Sequence, residues 1–327
     1  MKKLRILLLL LCFAYLLAFP QAAACSARDG LLLWYHSVLP VLSPFMFLCS
    51  LFLRLNLFES LPRFFYAPIC RLFGCSPHGA FAVITGFLCG FPMGAKITSD
   101  LYEQQKISRT EAKFLYGFVN NLSPGFILSY IAVQQLGDAA LGFALLVPIL
   151  GSAMLYGILT SISFRHSAKL SVQTMTALHS AKDSRNDSPV LDKTPSFFLT
   201  LDQCLYHTIQ NVVKLGGYIT LFCMLVDAFT NLFPASEQHP PLLFLFSCIE
   251  ITNGVRMIAA SCLPFLFKYL CITAVSAFGG LSALMQTLSL TDMDRELLFY
   301  YIKSRVLTTL LAVCIAVCSV LFRFFFL

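Results

Sequence analysis

The sequence predicts an all-α polytopic membrane protein, an inverted-repeat helical bundle with two re-entrant hairpins. Three observations predict it. Hydrophobic residues make up 58% of the chain, charged ones only 12%, and 32 residues are phenylalanine, which is far outside soluble usage. Several apolar stretches reach the ~20 residues that span a bilayer core. The order of elements in residues 30–163 then returns in 207–327.

Residues 1–24 open with MKKLRILLLLL and end in Ala22, Ala23 and Ala24, a pattern shared by signal peptides and short membrane helices. The reading favours a retained helix with its N-terminus in the cytoplasm. Spans are then expected at about 31–53, 114–134, 139–163, 208–233, 264–289 and 306–327. Two interrupted segments, at about 79–99 and 241–262, belong to the first and second repeats. Between the repeats, residues 164–206 carry SAKDSRNDSPVLDKTPS, too polar to pack a core, and read as a cytoplasmic linker.

Net charge of +7 fits basic cytoplasmic loops rather than a nucleic-acid partner. If both interrupted segments are hairpins, the basic groups at Arg54, Arg63, Arg71, Lys106, Arg109, Lys113, Arg165, Arg295, Lys303 and Arg305 fall on one face. Only Arg28 is left opposite. The first triplet of elements then starts outside and the second inside, so the halves are inverted. Inverted repeats with paired broken segments are the pattern of secondary transporters, whose solute site lies near the midplane.

The first interrupted segment reads GFLCGFPMGAKITSD. Gly86, Gly90 and Gly94, four apart, are expected on one helix face, where small residues admit another backbone. Pro92 breaks the helix. A break inside lipid is tolerated where the freed groups line a wet cavity, and a half-helix N-terminus beside Lys96 would suit an anion. Lys96 equally fits a cation reaching for the interface. In the second segment Glu250, Thr252, Asn253, Gly254 and Arg256 stand together, and an ionisable residue within a membrane segment is costly. Glu250 could carry a coupling proton, hold a cation such as sodium, or pair with Arg256 or Lys96. Asn120, Asn121 and Ser123 before Pro124-Gly125, and Ser282 and Gln286 after Gly279-Gly280, offer neutral hydrogen-bonding groups at matching places, for solute or for helix contact.

Ser108 with Glu111 three residues on reads as a capping box starting a short connecting helix. The 13 cysteines lie mostly in apolar runs without a CxxC pair, as small hydrophobes would. No zinc, haem or iron–sulfur spacing occurs, so no metal or cofactor is expected. No nucleophile and base pair stands out, so no enzyme is expected.

The stretches WYHSVLPVLSPF, GFLCGFPMGAKI, KISRTEAKFL, NNLSPGFI, EITNGV and FGGLSALMQ together resemble the sporulation integral membrane proteins of the YlbJ type, placed with the nucleoside-recognition (Gate) domain proteins. The resemblance runs from about residue 30 to the end, and departs at Ser123-Pro124-Gly125, where Gly before Pro would be expected. It implies a fold distantly similar to concentrative nucleoside transporters and a role in moving dipicolinic acid across a membrane during spore formation. The matching positions are Gly90, Pro92, Gly94, Lys96, Glu250, Gly254, Gly280 and Gln286. A nucleoside carrier and a non-transporting membrane scaffold or sensor stay open as alternatives. The membrane is expected to be the bacterial cytoplasmic membrane or the outer forespore membrane.

Overall fold

The computed structural model describes residues 2–55, 57, 62–179, 197–233 and 239–326. Helices joined by short turns and loops make up those residues, with no strand among them. Helix α1 is Lys2–Ala18. Helix α2 (Pro20–Leu33) starts with proline in its first turn, where a missing N–H costs nothing. It continues through a π-helical turn at Trp34–Val38 into α3 (Leu39–Arg54) without a break. The expected 31–53 span therefore lies inside a longer helix, and Trp34 Nε1 ties it to the Val212 carbonyl at 3.0 Å.

Helix α4 (Ala67–Phe73) stops at Gly74, whose φ of 73° is the left-handed C-cap that glycine takes most readily. Helix α5 (Pro77–Cys89) begins after Ser76, whose Oγ accepts the Gly79 N–H at 3.0 Å. A bend of 95° separates the two. Gly90 and a cis Phe91–Pro92 bond end α5, and α6 (Met93–Glu103) follows. The Gly86 and Gly94 backbones face each other, so α6 folds back along α5. The expected interruption at 79–99 is thus a helical hairpin with longer arms, Pro77 to Glu103.

Helix α7 (Arg109–Tyr116) starts on Ser108, whose Oγ accepts the Glu111 N–H at 3.1 Å. Only half of the capping box forms. The Glu111 carboxylate instead accepts the Ser76 N–H at 2.6 Å and caps the neighbouring α5. The expected continuous span at 114–134 is not continuous. Its chain unwinds after Tyr116 and becomes helical again only at Pro124, leading into a π-helix at Phe126–Gln135. Pro124 cannot donate to a preceding turn, and Ser123 Oγ accepts the Phe126 N–H at 3.2 Å to start the new helix.

Helix α8 (Ala140–His179) and helix α9 (Phe197–Leu232) both reach into the expected 164–206 linker. Residues 180–196, the rest of it, lie outside the described residues. Helices α10 (Pro240–Ser247) and α11 (Ile251–Ala260) form a second fold-back, in which the Gly254 backbone meets that of Ser247. Helix α12 (Phe265–Phe278) is interrupted by Gly279 and Gly280, at φ 90° and 78°, before α13 (Gly280–Ser289). Helix α14 (Arg295–Phe326) begins well before the expected 306.

Among the described residues four stretches, Ala140–His166, Phe197–Leu232, Phe265–Ser289 and Arg295–Phe322, are long and apolar enough to cross a membrane, or five if the bent α4–α5 pair counts as one. Their outward residues include Phe143, Ile162, Phe198 and Phe299, each about 70% or more exposed, a surface that lipid rather than water would cover. Inside, one apolar core gathers on α5, α6 and α7 and another on α11, α12 and the π-helix, with Phe87 packed against both.

Basic groups expected on one face do meet partners there. Arg109 Nη2 pairs with Asp294 at 2.6 Å and Lys113 Nζ with Glu296 at 2.7 Å, tying α7 to the start of α14. Arg165 donates to the carbonyls of Arg71 and Leu72. Arg305 departs from the expectation and is buried within α14.

Candidate functional site

The two fold-backs and the two interrupted helices converge. A Cβ built on Gly90 would lie 2.7 Å from the Ser123 nitrogen, so the tip of the first hairpin sits on the first interruption. At the second interruption the Leu281 and Ser282 N–H groups donate to the Cys248 and Ile249 carbonyls, each at 2.9 Å. The tip of the second hairpin thus accepts the free donors that open α13. Phe91 joins the two sets, because a Cβ on Gly279 would lie 2.5 Å from its ring.

The three glycines of the first hairpin do not share a helix face as expected, since the helix breaks between them. Gly86 lies on one arm, Gly94 on the other, and the Val119 carbonyl oxygen inserts between, 2.1 Å from where either Cβ would stand. Glycine is needed there because backbone enters a space that any side chain would fill.

At the convergence lies a cavity of about 110 Å³. Its wall is mostly apolar, with Leu42, Leu122 and Ile219 among the lining residues, and Ser123, Glu250, Thr252 and Gln286 bring polar groups to it beside Gly90 and Phe91. Glu250 is 2% exposed. Its two carboxylate oxygens accept the Thr252 N–H at 3.1 Å and the Asn253 N–H at 2.8 Å, so it caps α11. That local need explains a carboxylate at this break. Among the described residues no ion pair within 4 Å joins it to Arg256 or Lys96, although the Arg256 charge lies close enough to act on it. Gln286 Nε2 donates to Ser282 Oγ at 2.9 Å, which orients its amide at the wall.

The other expected residues take supporting places. Pro92 and Gly94 shape the hairpin, Gly280 the second interruption, and Asn253 gives its N–H to the Glu250 cap. Asn121 Nδ2 donates to the Phe118 carbonyl at 2.6 Å. Asn120 Nδ2 donates to Thr287 Oγ1 at 2.9 Å and to the Tyr301 hydroxyl at 2.8 Å, joining the first interruption to α13 and α14. Both Asn side chains are buried away from the cavity.

Lys96 is not brought to the central cavity. It pairs with Asp100 one turn along α6, and the pair lines a second cavity of about 280 Å³. Arg54, Glu103, His207 and Asn211 share those walls. The helix start that was expected to combine with Lys96 therefore faces elsewhere, because four helical residues carry Lys96 a full turn from the tip.

Sequence reasoning missed Arg305. Its Nη1 donates to the Asn120 carbonyl at 2.6 Å and lies 3.4 Å from Asn121 Oδ1, and its guanidinium stands 5.8 Å from the Tyr301 ring centre. Close behind Arg295 and Lys303, it looks like one more loop cation. A buried cation whose partner is a backbone carbonyl leaves no mark in sequence.

Among known proteins, the sporulation integral membrane protein YlbJ of Bacillus subtilis (strain 168) is 27% identical over 305 residues, covering 86% of this chain and 74% of that relative. No family model matches the chain, and no solved structure matches it. Its apolar helices and its relative identify an integral membrane protein, similar over most of its length to the YlbJ type of sporulation proteins.

Proposed function

We propose that this protein is a membrane carrier for a small organic acid used in spore formation, with dipicolinic acid as the solute to test first. The observation that supports this reading is the convergence of two broken hairpins and two interrupted helices on one cavity, mostly apolar in its wall, to which Ser123, Glu250, Thr252 and Gln286 bring polar groups. Irregular backbone at membrane depth is stable where it is packed in protein or lines a wet space. Carriers built from inverted repeats place their solute at such a meeting of broken elements. In this reading the two hairpins are re-entrant from opposite faces and the two halves rock about the cavity.

The chemistry divides between the two cavities. Arg54 and Lys96 supply positive charge in the larger one, where an arriving carboxylate would compete with Asp100 for the Lys96 ammonium. Glu250 in the central one is the group that could carry a coupling proton, since its carboxylate is enclosed with the solute groups. A nucleoside is the second reading. What favours it is the central wall itself, which presents Ser123, Thr252 and Gln286 and no Lys or Arg.

Thermal stabilisation of the purified protein by dipicolinic acid and by uridine separates the two. The acid reading predicts stabilisation by dipicolinic acid alone. Lys96→Ala should weaken it about tenfold, the worth of one charge-assisted hydrogen bond at ~1.5 kcal/mol. Stabilisation by uridine that Lys96→Ala leaves intact would favour the nucleoside. A well-folded protein that responds to neither would turn attention to a scaffold or sensor.

A further inference from the structure

The stretch between α7 and Pro124 leaves the helix at Tyr116 and resumes at Pro124, so its carbonyls lack the partners that a continuous helix supplies. Val119 places its carbonyl between two glycines. The Asn120 carbonyl faces Arg305, as does Asn121 Oδ1, and Asn120 Oδ1 is a buried acceptor with no partner among the described residues. Oxygen groups gathered at an unwound membrane segment, just beyond the negative end of a helix, form the kind of place where a cation binds. The occupant here belongs to the chain.

Arg305 is 3% exposed, and no carboxylate pairs with it among the described residues. The groups that face it include the Asn120 carbonyl, Asn121 Oδ1 and the Tyr301 ring, with Tyr156 close by, while its Nε has no hydrogen-bond partner among the described residues. A cation buried in a membrane bundle is expensive unless its site supplies such groups. The cost of an unwound carbonyl and the cost of a buried guanidinium cancel only if the two stay together.

We infer that the interruption at Gly117–Ser123 is a cation site whose resident is the Arg305 guanidinium, tethered by α14 in place of an exchangeable ion. This half of the molecule then carries its own positive charge, and its unwound segment keeps its shape without sodium. The inference rests on this geometry and holds whether or not the protein carries a solute.

Thermal unfolding of the purified full-length protein tests it, using Arg305→Ala, Arg305→Met and Arg305→Lys, with guanidinium chloride at low millimolar concentration and sodium chloride at equal ionic strength as control. The site predicts that Arg305→Ala melts several degrees below the parent and that guanidinium, but not sodium chloride, restores at least half of the loss. The parent should not respond. Met fills the volume without the charge, so Arg305→Met should melt below the parent too. An Arg305→Ala protein unmoved by guanidinium, or an Arg305→Met protein as stable as the parent, would mean that the side chain only fills space. If Arg305→Ala does not fold, Lys against Met decides: Lys the more stable supports the site, and equal stability overturns it.

Discussion

The Val119 carbonyl between Gly86 and Gly94 sets the tightest constraint on single residues. Adding one methyl at either glycine places carbon 2.1 Å from that oxygen, and the chain must give way. Overpacking of this kind costs about 1–3 kcal/mol. Gly86→Ala and Gly94→Ala should each lower the melting temperature, whereas Gly125→Ala and Gly151→Ala, which meet nothing within 4 Å, should not. The four-residue glycine spacing was visible in the sequence, but its reason was not. Reading it as one helix face assumed a continuous helix, and Gly90 and Pro92 turn the chain back between the outer two. Arg305 was illegible for a different cause. Sequence shows a basic residue near other basic residues, and only the fold shows that a carbonyl 185 positions away receives it.

At the scale of elements, the two interrupted helices are held by contacts that cross between the halves. Asn120 on one and Thr287 on the other share a hydrogen bond at 2.9 Å. A double-mutant cycle with Asn120→Ala and Thr287→Val should return a coupling near 0.6 kcal/mol and no more than about 1.7, the range measured for buried polar pairs between membrane helices. Additive effects would show that the bond does not join them. The start of α14 should respond to pH. The Leu297 N–H, and after it the Arg109 guanidinium, hold the Asp294 carboxyl below its ordinary value. A depressed carboxylate stabilises the fold at pH above its unfolded value and loses that effect as pH falls through the folded one. Melting temperature should therefore fall below roughly pH 4, and Asp294→Asn should reduce that fall. An unchanged acid profile in Asp294→Asn would contradict this. Proline made the break at Pro92 legible, whereas the interruptions before Pro124 and at Gly279-Gly280 fall inside segments that read as spans. The end of α7 was not legible either, because FLYGFVNN carries no helix-stopping proline and its unwinding depends on distant partners.

At the scale of the whole molecule, composition alone announced the membrane class, since no soluble core could use this much apolar surface. The sequence reads as a repeated order of span, broken segment and span with central polar residues, and the structure interrupts the last element of each. Sequence could not show that Lys96 and Glu250 belong to different cavities, because one helical turn decides which space a side chain meets. The molecule therefore pairs a partly open central cavity, to which Ser123, Glu250, Thr252 and Gln286 bring polar groups, with a charged cavity around Lys96 and Asp100. If the central cavity is a solute route, filling it should stop transport while the bundle survives. Flux of labelled dipicolinic acid into proteoliposomes, with uridine alongside and Ala283→Phe as the filled variant, measures this directly. The account predicts saturable entry of dipicolinic acid, exclusion of uridine, and loss of at least tenfold in Ala283→Phe with unchanged insertion. Entry that Ala283→Phe leaves intact, or no entry of either solute by the inserted parent protein, would contradict it.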